Sequence, residues 1–272
     1  VMTLVYAVAI GFSMGTTALV SRRTGEKDPA GAADAAAQSI LVAVAASVPF
    51  ALVGIFYSKE ILGLMGADAW TIEHGSRYMA WMLGGNVVIM MLFVVNAVFR
   101  GAGDAAVAMR VLWVANGLNI VLDPALIFGW GPFPEMGIEG AAVATVIGRG
   151  VGVAMQLWIL FRGSKHIRVR LAQFRFHMAV MAGLVRTSMG GIGQFLIATS
   201  SWVLLVRIIS EFGSEAVAGY TIAVRIFVFT ILPAWGLSNA AATLVGQNLG
   251  AVQPDRAERS VVTTGFLNMG FM

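Results

Sequence analysis

Long apolar runs, separated by short polar connections, fill almost the whole chain. A helix needs about 20 apolar residues to cross the roughly 30 Å hydrocarbon layer of a membrane. Seven runs reach that length, at 1–21, 35–57, 75–99, 107–129, 138–161, 180–210 and 215–248, and a partial eighth begins near Arg256. The first and last runs continue to the ends of the sequence, which predicts a piece of a longer protein. The pattern predicts an all-α, polytopic helical membrane bundle.

The composition supports this prediction independently of the pattern. Hydrophobic residues make up 58% of the chain and charged residues 12%, whereas soluble domains carry roughly 25% charged residues. The 32 glycines suit membrane helices, in which small residues let backbones approach closely. A soluble globular domain is therefore excluded.

Basic residues are concentrated in every second connection between the runs. They are Arg22, Arg23, Lys27, Arg100, Arg110, Arg162, Lys165, Arg168, Arg170, Arg175, Arg256 and Arg259. The positive-inside rule assigns these connections to the cytoplasm. The net charge of +4 therefore predicts contact with anionic membrane lipids and no nucleic-acid partner.

A short sequence near the start of the chain returns 225 residues later. Seven of 22 aligned positions are identical between 11–32 and 236–257. The copies end the first and the seventh run, so both cross the membrane in the same sense. Two large parallel halves are typical of secondary transporters, whose substrate sites lie between the halves. We expect an N-lobe over 1–161, a basic cytoplasmic linker over 162–178 and the beginning of a C-lobe over 179–272.

Few polar side chains lie inside the runs, and the clearest group surrounds Asp123. Asn116, Asn119 and Asp123 share one face of a helix because they are spaced three and four residues apart. Pro124 follows and leaves the carbonyl oxygen of Ile120 without its helical donor. Carboxylate, amide and carbonyl oxygens are ligands for hard cations, so the group predicts a site for Na⁺ or a proton. The alternative is that Asp123 only braces neighbouring helices.

Three further polar residues are weaker candidates. Thr145 in the fifth run could complete an Na⁺ site with Asp123 and Asn119. Asn96 lies one turn before Arg100, so depth along the run puts it nearer the cytoplasm than Asp123. Gln194 could line the interior as a secondary polar residue or hold helices together.

Enzymatic chemistry is not predicted. The three histidines lie in connections, no HExxH motif occurs, and Asp123 has no acidic neighbour in its run. An intramembrane enzyme needs assembled catalytic groups. A passive channel or a receptor stays open as an alternative, although the duplication favours a transporter.

Five stretches together resemble the multidrug and toxic compound extrusion (MATE) family. They are Ala18–Arg22, Phe99–Asp104, Asn119–Pro124, Gly137–Thr145 and Thr243–Gly250. Each is a low-specificity pattern of small residues, but their order, their spacing and their side of the membrane all agree with the family.

The resemblance implies twelve helices in two pseudo-symmetric six-helix lobes, of which this chain holds helices two through eight and the start of nine. It implies export of organic cations, drugs or other amphipathic molecules in exchange for Na⁺ or H⁺, with no other cofactor. The family's N-lobe polar cluster maps onto Asn96, Asn119, Asp123 and Thr145. Some relatives carry an acid in helix seven, but Gln194–Ala198 has none.

Related expectations concern assembly, location and substrate. We expect a monomer in the cell membrane of a bacterium or archaeon. A flippase for lipid-linked intermediates, which shares this architecture, is the alternative function.

Overall fold

The computed structural model describes residues 2–272, except the side chain of Ser214. The described residues form nine α-helices and one short 3₁₀ helix. The α-helices are α1 (Met2–Gly25), α2 (Pro29–Leu64), α3 (Ala69–Gly84), α4 (Asn86–Gly101), α5 (Ala105–Phe128), α6 (Gly137–Arg162), α7 (Met178–Ser210), α8 (Ser214–Gly250) and α9 (Pro254–Phe271). The all-helical class is confirmed.

Within residues 2–272, seven segments are long and apolar enough to cross a membrane. Six are single helices, and the third consists of α3 and α4 together. The predicted number of spans is therefore confirmed. The 36 residues of α2 exceed the predicted 35–57, because the helix continues past the apolar run on both sides.

The third span differs from the prediction of one continuous run over 75–99. It breaks at Gly85, which ends α3 and begins α4. A side chain at Gly85 would overlap Val146 of α6, so glycine allows the close approach. The buried Asn86 side chain then donates to the carbonyl of Ser47 on α2, at 3.0 Å. Packing against two neighbouring helices therefore sets the break.

The core lies where α1, α2 and α4 meet, and it is built largely from alanine and valine. α1 also packs against α7 and α8, while α5 packs mainly against α6. Small residues suit this arrangement, because van der Waals contact replaces the hydrophobic drive between helices in lipid.

The basic connections gather at one end of the bundle. Gly101 at the end of α4 packs on Val20 and Ser21 near the end of α1. Gln247 near the end of α8 donates to the carbonyl of Gly101 at 3.1 Å. This shared end is the one that the positive-inside rule assigns to the cytoplasm.

The two copies of the repeat fold alike. Lys27 and Val252, which are 225 residues apart, both have a φ of 56°, although a positive φ is uncommon outside glycine. Asp28 N–H donates to the Arg23 carbonyl at 3.0 Å, and the equivalent pair, Gln253 and Asn248, is at 2.8 Å. A proline then opens the next helix in both copies. The shared turn supports a duplication.

The copies also contact each other reciprocally. A Cβ at Gly25 would overlap the carbonyl of Gln247, and a Cβ at Gly250 would overlap that of Arg22. Gly25 corresponds to Gly250 and Arg22 to Gln247 in the repeat. The ends of α1 and α8 therefore meet around an approximate twofold axis, and glycine permits the close approach. We call this contact, formed by 20–25 and 246–250, the repeat contact.

The segment between α6 and α7 is anchored on α2. The fully buried side chain of Gln38 donates to the Arg175 carbonyl at 2.6 Å and accepts from the His177 N–H at 3.2 Å. His177 Nδ1 lies 2.8 Å from the carboxylate of Asp34. The basic segment therefore follows a defined path across the basic end of the bundle.

Candidate functional site

Glycines on α6 create the groove that holds the candidate site. Gly140 packs on the backbone of Leu126, and Gly152 packs on Ala115, both of α5. Between them, Gly148 faces Asn119, and an added Cβ would lie 3.2 Å from the amide oxygen of that residue. The absence of side chains at these positions brings α5 and α6 into close antiparallel contact. Asn119 therefore points into the α5–α6 groove.

Asn119 and Asp123 form the centre of the site. The Asn119 amide donates to Asp123 Oδ2 at 2.8 Å, as the spacing of one helical turn allows. Asp123 Oδ1 and Asn119 Oδ1 are buried, and neither has a hydrogen-bond partner within the described chain. Buried polar atoms are nearly always paired. Six other buried polar atoms of the described chain also lack a partner, including Asn86 Oδ1 and Gln156 Oε1, so the carboxylate is what distinguishes this pair and suits it to a cation or a proton.

Thr145 and Asn116 lie differently relative to this pair. Thr145 is half-buried and lies one turn before Gly148 on the same face of α6. Because the helices run antiparallel, it belongs to the level of Asp123. Asn116 shares the stripe on α5 but is exposed. Asn119, Asp123 and Thr145 therefore lie at a similar depth in the bundle, whereas Asn116 lies at the exposed edge of the group.

Asn96 lies at a different depth in the bundle from Asn119 and Asp123. Its amide oxygen accepts from Gln156 of α6 at 2.7 Å, and both side chains are buried. Gln156 is eight residues beyond Gly148, so this pair lies roughly 12 Å from the Asn119 level along α6. The depth argument from the sequence agrees with this position, whereas the family's cluster would join Asn96 to Asp123.

Gln194 is exposed on α7, away from the α5–α6 groove. Arg149, next to Gly148, donates to the Tyr6 hydroxyl at 2.9 Å and lies 5.8 Å from the centre of that ring. Among the described residues, no cationic nitrogen comes within salt-bridge distance of Asp123. The carboxylate is therefore not neutralised by a fixed arginine.

Sequence reasoning missed two buried amides, Gln156 and Asn86. Each is fully buried and bonds to another helix. The available signal was a lone amide inside an apolar run. That signal also fits a residue that only holds helices together, so contacts were needed to recognise these pairs.

These features define a multi-pass helical membrane protein with internal duplication and an intramembrane carboxylate. Comparison with known sequences agrees with that class. The MatE family model matches residues 1–125 and 192–272, so the chain belongs to the MatE family, whose members are transporters and not enzymes.

Three curated relatives illustrate the match. The chain is 29% identical over 247 residues to a probable multidrug resistance protein NorM of Thermotoga maritima, covering 90% of this chain and 53% of that protein. It is 25% identical over 261 residues to an FAD transporter of Shewanella oneidensis, covering 95% and 57%. It is 24% identical over 251 residues to a multidrug export protein MepA of Staphylococcus aureus, covering 91% and 55%. The chain thus spans just over half the length of these relatives.

Solved structures agree with the fold. A MATE transporter in complex with MaL6 superposes with a TM-score of 0.90 at 26% identity, covering 97% of this chain and 58% of that one. An outward-facing conformation of a multidrug resistance MATE transporter gives 0.89 at 26% identity, with the same coverage.

Proposed function

We propose that the protein containing this chain is a secondary active exporter in a bacterial or archaeal cell membrane. It exchanges Na⁺ or H⁺ for organic cations, drugs or other amphipathic molecules by alternating access. Asp123 carries the coupling ion, with Asn119 and Thr145 as neighbours. The observation that carries the proposal is the part-buried Asn119–Asp123 pair, in which one buried oxygen of each residue is unpaired.

The geometry of the pair favours an ion that comes and goes. A single carboxylate held by one amide has acceptor capacity left for a cation. A proton could bind the unpaired Asp123 oxygen instead, and it would make that oxygen a hydrogen-bond donor. No arginine or lysine competes for the Asp123 carboxylate among the described residues.

The repeat contact supports alternating access. It closes the cytoplasmic end between the two halves, and α1 also approaches α7 where Gly11 faces Ile192. A bundle sealed at this end matches the outward-facing state of such an exporter. A coupled ion shifts the balance of two states only if it binds them with different affinities, which the Asp123 site would provide.

Substitution of Asp123 by asparagine tests the proposal. Vesicles containing the full-length protein would be given an imposed Na⁺ or pH gradient, and transport of an organic cation such as ethidium would be followed. Coupling free energies of allosteric systems correspond to about 5- to 150-fold effects, so we expect a loss of gradient-driven transport in that range. The imposed gradient that drives wild-type transport identifies the coupling ion.

Asp255→Asn is the matched control, because Asp255 is exposed in the first turn of α9 and should leave transport unchanged. Full gradient-driven transport by Asp123→Asn would remove Asp123 as the coupling group. Transport of a lipid-linked substrate without any ethidium transport would favour the flippase instead.

A further inference from the structure

Two cavities adjoin near the non-cytoplasmic end of α3, on the side of the lobe formed by α2, α3 and α6. One has a volume of about 410 Å³ and is lined by apolar groups of all three helices, including Ile55, Trp81 and Val146. The other has a volume of about 430 Å³, and its lining is mixed, with Glu73 and His74 beside the apolar side chains of Met136 and Ile138. Each falls within the roughly 300–1,000 Å³ of ordinary ligand sites.

Arg77 and Glu139 line both cavities. The Trp81 indole N–H donates to Glu139 Oε1 at 2.8 Å, and Arg77 lies 3.7 Å from Glu139 Oε2. Glu139 is thereby fixed at the boundary, with 25% of its side chain exposed, while Arg77 is 77% exposed. The result is an apolar cavity and a cavity of mixed polarity that meet at one cation and one anion.

The depth of this boundary matches the headgroup layer. Arg77 and Arg100 are 23 residues apart along α3 and α4, which corresponds to roughly 35 Å of helix. Arg100 closes the span at the cytoplasmic end, and the hydrocarbon layer is roughly 30 Å thick. Arg77 therefore lies at the outer headgroup level, with Trp81 one turn deeper, where aromatic residues are enriched.

The charges select among headgroups. Arg77 supplies one cation and Glu73 and Glu139 supply two carboxylates to the lining of the second cavity. A zwitterionic headgroup complements this set, with its phosphate on Arg77 and its ammonium on the carboxylates. An anionic headgroup without an ammonium would satisfy Arg77 but would face two like charges.

We propose that the paired cavities bind one zwitterionic glycerophospholipid of the outer leaflet. The phosphate contacts Arg77, the ammonium contacts Glu73 and Glu139, and an acyl chain occupies the apolar cavity beside Trp81. The site is separate from the Asp123 groove, so it does not depend on the proposed transport function. A bound lipid would join α2, α3 and α6 at the outer boundary of the membrane.

Native mass spectrometry of the full-length protein tests this site. Equal amounts of phosphatidylethanolamine and phosphatidylglycerol with identical acyl chains would be added, and retained lipid would be counted. We expect wild type to retain one phosphatidylethanolamine in preference to phosphatidylglycerol. Arg77→Ala should weaken retention about fivefold, as the loss of an ion pair of about 1 kcal/mol predicts.

Glu139→Gln is the more discriminating variant. Its amide oxygen still accepts the Trp81 N–H, so the fold is kept while the charge is lost, and the preference between the two lipids should fall about fivefold. Arg110→Ala, an exposed arginine at the cytoplasmic end, is the control and should change neither quantity. Unchanged retention by Arg77→Ala together with an unchanged lipid preference in Glu139→Gln would overturn the proposal. Equal retention of diacylglycerol, which lacks a headgroup, would also overturn it.

Discussion

The α5–α6 groove and the repeat contact use glycine for opposite purposes. In the groove, Gly148 brings α6 close to Asn119 and leaves two buried oxygens unpaired. In the repeat contact, Gly25 and Gly250 let two backbones meet with no room for a side chain. The groove thus leaves the acceptor capacity that the proposed coupling ion needs, whereas the repeat contact brings two backbones together.

This difference suits a division of the two tasks in the proposed transporter. The proposed ion site lies between α5 and α6. The repeat contact lies between α1 and α8, on the approximate twofold axis that relates the two copies of the repeat. An ion bound at the first can influence the second only through packed helices, and α4 contacts α1, α5, α6 and α8.

The largest effect is expected at the repeat contact. Gly25→Ala places a methyl group against the Gln247 carbonyl, and overpacking of this kind costs about 1–3 kcal/mol. The cytoplasm-closed state should lose population by about 5- to 150-fold. A cysteine introduced at the buried Ser21, in a chain that has no other cysteine, should react faster with maleimide.

Gly190→Ala is the matched control, because an added Cβ at Gly190 meets nothing within 4 Å. It should leave the reaction rate of the Ser21 cysteine unchanged. A rate for Gly25→Ala equal to that of the control would mean that the repeat contact does not close the cytoplasmic end.

A second substitution distinguishes the role of the Asn96–Gln156 pair from that of the Asn119–Asp123 pair. Asn96→Leu leaves the buried Gln156 amide without its partner, which costs about 1–3 kcal/mol of the free energy of unfolding. Because the Asn96–Gln156 pair lies at a different depth in the bundle from Asp123, the coupling-ion concentration for half-maximal transport should not change. Thermal unfolding and ion titration of transport measure the two quantities separately. A shift in the half-maximal ion concentration would instead include Asn96 in the proposed ion site.

The smallest expected effect concerns the donor to the carboxylate. Asn119→Ala removes the hydrogen bond to Asp123 Oδ2, which is worth about 1 kcal/mol, so the half-maximal ion concentration should change about fivefold. Asn116→Ala is the control, since Asn116 is exposed on the same helix. Equal behaviour of the two variants in ion titrations would argue against a role for the Asn119 bond.

Much of the candidate site could be predicted because it is local. Asn119 and Asp123 are one turn apart, so the helix period alone puts them on one face. Asn96 and Gln156 are 60 residues apart, and no local period predicts that they meet. The resemblance to the family implied one cluster of four polar residues. The contacts instead place Asn96 at a different depth in the bundle from Asn119 and Asp123.

The sequence by itself determined the seven spans, the basic end of the bundle and the repeat. These follow from length, hydropathy, charge and identity at a fixed offset, each of which can be read from residues in order. Only the tertiary structure decided that α3 and α4 break at Gly85, that the copies of the repeat touch, and that Asp123 keeps an unpaired oxygen. Those outcomes depend on which backbone lies opposite each residue, and van der Waals contact and hydrogen bonds between distant segments choose that partner.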